Sequence, residues 1–199
     1  TLLEDNSFII VGYRDRYSNG SKNNLIIRIN EDGTKMWEKE ILTDKNVNEI
    51  AYSISKSIDG KFYICSGVNT VENLEEYNPN IRKMDSFGNF EWTRTFRSNS
   101  KSYHQFSATS TSNGDIVIAG STLSYSALGY KDDAFLIKAD SKGNLIWTFP
   151  YGSSDEDDWG WSVFEKFNGN IVMIGSTKSF GASLFDVFLL STNSEGRYN

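Results

Sequence analysis

The chain has 199 residues, enough for a core that buries roughly 70% of the unfolded surface. With 38% hydrophobic residues, 14% aromatic residues and only 2 prolines, the composition excludes the disordered, collagen-like and membrane-spanning classes. Twenty Lys and Arg against 26 Asp and Glu leave a net charge of -6, which argues against a nucleic-acid partner, since such binders carry a basic patch for the phosphates. Cys65 and His104 are the only residues of their kinds, so neither an internal disulfide nor a zinc site of Cys and His alone can form. No charged segment followed by an apolar run opens the chain at Thr1, and a targeting segment is expected to have been removed or left out.

Taken in chain order, the elements repeat. Phe8 to Gly12 is an apolar run of strand character, followed by Asn23 at a strand start, by Asn30-Glu31-Asp32-Gly33, and by Trp37 four residues later. Tyr52-Ser53 opens the next unit, and Phe62 to Ser66, Asn78, Asp85-Ser86-Phe87-Gly88 and Trp92 follow in the same order. The third unit has Phe106-Ser107, Ile116 to Gly120, Asp133, Asp140-Ser141-Lys142-Gly143 and Trp147. The fourth has Trp161-Ser162, Ile171 to Gly175, Asp186 and Asn193-Ser194-Glu195-Gly196. The apolar runs are spaced by 54, 54 and 55 residues and the Asp or Asn turns by 55, 55 and 53, so two markers keep one period. Asp or Asn at the first turn position accepts backbone N–H bonds and Gly supplies a left-handed conformation, which predicts a hairpin at each turn. The following Trp is then expected to pack between adjacent sheets. No stretch carries a sustained helical stripe, and four short strands fit each unit; in the third they are predicted over 105–111, 115–121, 134–139 and 144–149.

These features predict an all-β fold, a β-propeller built from four repeats of about 55 residues and four strands. The units run approximately over 1–50, 51–104, 105–159 and 160–199 and form a single region. The runs Asp85 to Trp92 and Asp140 to Trp147, with the stretch ending in Ala119-Gly120-Ser121, resemble the β-propeller repeats of bacterial surface and secreted proteins, related to quinoprotein-like propellers with a tryptophan-docking motif. The resemblance spans essentially the whole chain. It implies blades held together by Trp37, Trp92, Trp147, Asp85, Asp140, Gly33, Gly88, Gly143, Gly196, Asp133 and Asp186, and an extracellular, cell-surface or periplasmic location. The repeat arithmetic leaves one outermost and one innermost strand short of four full units. We therefore expect either further blades of a larger propeller or closure by a partner, a homodimer included.

Catalytic constellations are sparse. Cys65 lies in an apolar run that should bury it as an inert small hydrophobe rather than pair it with His104. The acidic run Ser154 to Asp158 departs from the EF-hand pattern, because Trp159 and Lys166 occupy ligand positions, and reads as a solvated loop. No metal and no cofactor is assigned, and no residue here matches the cofactor-binding side chains of quinoprotein dehydrogenases. The Asn23, Asn78, Asp133 and Asp186 column recurs in every unit and reads as structural.

What varies between units is the connection after the glycine-containing strand, and every version holds aromatics: Tyr17; Tyr77; Tyr125 and Tyr130; Phe180 and Phe185. Aromatics on variable loops suit stacking on sugar rings or anchoring a protein partner. The expectation is a non-enzymatic recognition or structural module that binds protein or glycan through its loops. The alternative is a fragment of a quinoprotein-like or glycan-active propeller enzyme.

Overall fold

The computed structural model describes residues 1–15, 21–42, 44, 46–70, 73–97, 102–122, 131–153, 156–179 and 184–198, with the side chains of 70, 73–76 and 102–105 left aside. The described residues form fourteen strands and no helix. The first sheet holds β1 (Phe8–Asp15), β2 (Lys22–Ile29) and β3 (Lys35–Glu40), in that order. The second holds β4 (Val47–Lys56), β5 (Phe62–Thr70), β6 (Asn73–Met84) and β7 (Phe90–Thr95). The third follows the same order with β8 (Ser102–Ser110), β9 (Ile116–Thr122), β10 (Asp133–Ala139) and β11 (Leu145–Tyr151), and the fourth comprises β12 (Asp158–Glu165), β13 (Ile171–Thr177) and β14 (Asp186–Thr192). All pairings are antiparallel, so each sheet is a simple meander.

The turn chemistry explains the meander. At Asp140 the Gly143 amide donates to the Asp140 carbonyl at 2.9 Å, and the Asp140 carboxylate accepts from the Lys142 and Asn144 amides at 2.9 and 2.8 Å. Gly143 sits at φ +81°, a left-handed conformation that a side chain disfavours. Asn30, Asp85 and Asn193 accept from backbone amides in the same way.

Successive sheets pack face to face through their first strands, β4 against the first sheet, β8 against the second and β12 against the third, in a propeller-like arrangement. Three cores lie between them. Ile9 and Ile26 meet Phe62, Ile64 and Met84; Tyr63 and Ile81 meet Ile116, Ile118 and Phe135; Val117 and Leu136 meet Val163, Ile171 and Met173. The two middle sheets are therefore buried on both faces, which is why β9 is buried at every position and begins with the unbroken apolar run Ile116 to Gly120. Cys65 is fully buried in the middle core, and burial pushes its thiol far above the ordinary range.

The recurring tryptophans lie across the hairpin glycines of the next sheet. A Cβ placed on Gly88 would meet the Trp37 ring at 3.5 Å, one on Gly143 the Trp92 ring at 3.0 Å, and one on Gly196 the Trp147 ring at 3.0 Å. Gly33, the corresponding residue of the first sheet, meets nothing within 4 Å. Hydroxyls also join sheets, because Ser53 and Ser55 of β4 accept from the Ala108 and Ser110 amides of β8, each at 3.0 Å. No closed barrel is formed among the described residues, and no helix is long and apolar enough to cross a membrane.

Candidate functional site

The ends of the strands that carry the Asn and Asp column also carry a buried polar layer, and its composition differs from one inter-sheet space to the next. Glu49 of β4 pairs in register with Val68, and Asp158 of β12 pairs with Thr177. Because Val68 and Thr177 are repeat equivalents, Glu49 and Asp158 occupy the same place in their units. Both are withdrawn from solvent. Between the first and second sheets the charge is answered. Arg82 grips Glu49 with two donors at 2.9 and 2.7 Å, and Asn24 donates to the same carboxylate at 2.9 Å while also reaching Ser66 at 2.7 Å. This is the forked guanidinium–carboxylate geometry that compensates a buried anion.

Between the third and fourth sheets no cation among the described residues takes the corresponding role. Asp158 accepts from the hydroxyls of Thr177 and Ser179, the latter at 2.6 Å, and from the Ser153 amide at 3.0 Å. Asp133, at the start of β10, is buried beside it, and its Oδ2 has no hydrogen-bond partner among the described residues. Burial, followed by the charges of Asp158 and Asp132, pushes the Asp133 carboxyl up to about 6. Gly152 makes room for the pair. A Cβ there would collide with Asp158 and come within 3.1 Å of Asp133 Oδ1. A cleft of about 300 Å³ adjoins, lined in part by Tyr151, Gly152, Asp158, Phe188 and Tyr198. Among the described residues no group of three or more His, Cys, Asp or Glu is arranged to hold a metal ion.

An aromatic rim borders the acids. Trp159 stacks on Phe185 with centroids 4.3 Å apart, meets Trp161 edge-on at 5.9 Å, and donates its indole N–H to Asp132 at 2.9 Å. Lys178 lies 4.4 Å over the Phe185 ring and pairs with Asp157 at 2.9 Å, and Lys131 pairs with Glu156 and Asp157. Chemically this is a cluster of strong acceptors next to flat apolar surface, suited to a ligand that offers hydroxyl or ammonium donors.

Several sequence expectations change here. The solvated-loop reading of Ser154 to Asp158 fails at Asp158, which begins β12 and turns inward toward the third sheet; Ser154 and Asp155 lie outside the described residues. Tyr77, expected on a loop, is buried in β6 and packs over Gly67, whose missing side chain leaves space for the ring. Phe185 is half exposed, with Trp159 and Lys178 against its ring. Tyr17, Tyr125, Tyr130 and Phe180 lie outside the described residues, as does the side chain of His104. Within the Asn and Asp column, Asn23 donates to Glu40 at 3.0 Å, Asp186 is exposed and accepts from the adjoining Val187 amide, and Asp133 is buried with its carboxyl pushed up. The sequence reading missed Trp159 and the contrast between Glu49 and Asp158. The signal was available in the register, one acid with an Arg in its own sheet and one without.

The sequence reading also passed over a column of buried cations on the third strand of the first three units. Arg28 reaches the Ser86 carbonyl at 2.9 Å and Lys138 the Ser194 carbonyl at 3.2 Å, each tying its sheet to the next hairpin, while Lys83 pairs with Asp59 at 2.7 Å.

Comparison with known proteins gives little to add. No protein-family profile matches the chain, and no curated protein matches it. Among solved structures, Drosophila Plexin A in complex with Semaphorin 1b aligns over 97% of this chain and 55% of that one, at 9% identity and a TM-score of 0.36. The chain thus spans about half the length of that neighbour, and the description of the fold rests on the sheets themselves.

Proposed function

We propose that this chain is a non-enzymatic recognition module of propeller architecture, of the kind displayed on surfaces or secreted, and that it binds a glycan at the end of the third and fourth sheets. One observation carries the reading: Asp133 and Asp158 form a buried acid pair with which no cation among the described residues pairs, beside the Trp159, Trp161 and Phe185 rim. Asp133 Oδ2, which has no protein donor among the described residues, can accept a sugar hydroxyl, and indole faces cover the apolar face of a pyranose. The test is titration of the protein with a panel of acidic, neutral and amino-sugar oligosaccharides, read by tryptophan fluorescence and calorimetry. Saturable binding that weakens at least tenfold in Asp158→Asn and in Trp159→Ala, with the melting curve retained, supports the reading. Binding unchanged in both variants, or none across the panel, refutes it.

A second reading draws on the raised Asp133 carboxyl. A carboxyl raised by burial beside a second carboxylate is equipment a glycosidase can use. New reducing ends released from the same oligosaccharides, and lost in Asp133→Asn, would select this reading over simple binding.

A further inference from the structure

Glu49 and Asp158 are buried at the same place in their units, one between the first and second sheets and one between the third and fourth, yet they are answered differently. Glu49 meets a charged fork from Arg82, on the third strand of its own sheet. Register puts Leu190 at the Arg82 position of the fourth sheet, since Arg82 pairs with Ile64 and Leu190 with the equivalent Met173. The donors that reach Asp158 are neutral: the hydroxyls of Thr177 and Ser179, and the Ser153 amide.

A second acid stands opposite. Asp133, at the start of β10 in the third sheet, is 4% exposed, and its Oδ2 has no hydrogen-bond partner among the described residues. A Cβ on Gly152 would overlap the Asp158 carboxylate and lie 3.1 Å from Asp133 Oδ1, so oxygens of both acids flank the space beside that glycine. Such a space suits one donor group that hydrogen-bonds to both carboxylates at about 2.8 Å. The adjoining lysines are engaged elsewhere, because Lys178 pairs with Asp157 at 2.9 Å and Lys131 with Glu156 and Asp157 at 3.4 and 3.7 Å. The cleft lined by Tyr151, Gly152 and Asp158 leads to the pair.

We infer that the ligand itself supplies the cation: the site takes an amino sugar, whose free primary ammonium bridges Asp133 and Asp158 in the role that Arg82 fills beside Glu49. This rests on the glycan reading and narrows it to one ligand class. An ammonium sets three donors around one small nitrogen, which suits carboxylates converging from two sheets, whereas the planar guanidinium fork suits the single carboxylate of Glu49. An N-acetylated sugar offers one N–H, no charge and a bulky acyl group at the same position, and leaves both acids uncompensated.

Calorimetric titration near pH 7 with three β-1,4-linked tetrasaccharides, of glucosamine, N-acetylglucosamine and glucose, tests the inference. The glucosamine tetramer should bind at least about 30-fold more tightly than either neutral one. Asp133→Asn should shrink that preference below about 5-fold and leave the neutral tetramers within about 3-fold of the parent, because the amide oxygen still accepts a hydroxyl. Leu190→Arg, which restores a cation from within the chain, should remove the preference as well and serves if Asp133→Asn fails to fold. Glu195→Gln, at an exposed acid of the last hairpin, should leave the preference intact. Equal affinities of the parent for the three tetramers, or a preference that survives in Asp133→Asn, overturn the inference and leave the glycan reading standing. A preference that falls as far in Glu195→Gln as in Asp133→Asn marks general charge attraction and also overturns it. Binding of none of the three overturns the glycan reading, and the inference with it.

Discussion

Replacing Asp133 by Asn isolates the uncompensated carboxylate. In the folded protein its carboxyl is raised from 3.8 to about 6, chiefly by burial. Between these values the folded chain holds a proton that the unfolded chain has released. Stability from this residue is therefore complete below about pH 4 and is lost as pH rises through about 6. A shift of about two units corresponds to about 3 kcal/mol across that window, reduced by whatever relaxation lets water reach the carboxylate. Asp133→Asn cannot ionise. It should match the parent within about 1 kcal/mol at pH 4 and exceed it by up to about 3 kcal/mol at pH 7. Asp5, Asp85 and Asp140 accept hydrogen bonds that lower their carboxyls and give the parent the opposite slope, so the informative quantity is the difference between the two proteins at each pH. Urea unfolding at several pH values, followed by tryptophan fluorescence and circular dichroism, measures it and checks whether the sheets melt together. Parallel curves, or a variant less stable at pH 7, would refute the argument and show that Asp133 has a compensating partner.

Other consequences follow from the packing. Gly33→Ala and Gly143→Ala both force alanine into the left-handed region, at about 1 to 2 kcal/mol each. Only Gly143→Ala also drives a methyl into Trp92 and Arg94, so it should lose about 1 to 3 kcal/mol more; equal unfolding midpoints would sink the account of tryptophan docking. Cys65, buried and with its thiol pushed up, should resist a disulfide reagent in the native protein and react only at the rate of unfolding. Rapid modification without loss of structure would contradict its place in the core.

Much of the architecture is local, and that part is legible in the sequence. Asp140 and Gly143 specify a hairpin because the carboxylate and the positive φ act within five residues, and no distant contact is required. The third unit's strands follow from short apolar runs between such turns. Long-range consequences are less legible. Tyr77 shares the aromatic character of its loop counterparts, but its burial is decided by Gly67 on the neighbouring strand, ten positions away. Asp158 looks like part of an acidic surface run until the register of β12 against β13 turns it inward. Its contrast with Glu49 requires knowing which residues face the same inter-sheet space, information carried by pairing and absent from composition.

The repeat itself then separates scaffold from function. Turn, glycine and tryptophan recur because every sheet must dock on the next, and a residue that satisfies this geometry tells nothing about a ligand. Departures carry the information. Arg82 answers a buried acid in the second sheet, while the equivalent third strand of the fourth sheet has Leu190, and among the described residues no guanidinium reaches Asp158. The same strand replaces the buried Arg28, Lys83 and Lys138 column by Ser191. The fourth sheet has thus given up cations that the others use internally, next to two buried acids and an aromatic rim. Docking of sheets does not require Asp133 and Asp158 in adjoining buried positions, because burial and the charge of Asp158 work against ionised Asp133. Their place at the junction where no described inter-sheet cation pairs with them is why the proposed glycan site is put in this space and not in the arginine-compensated space around Glu49.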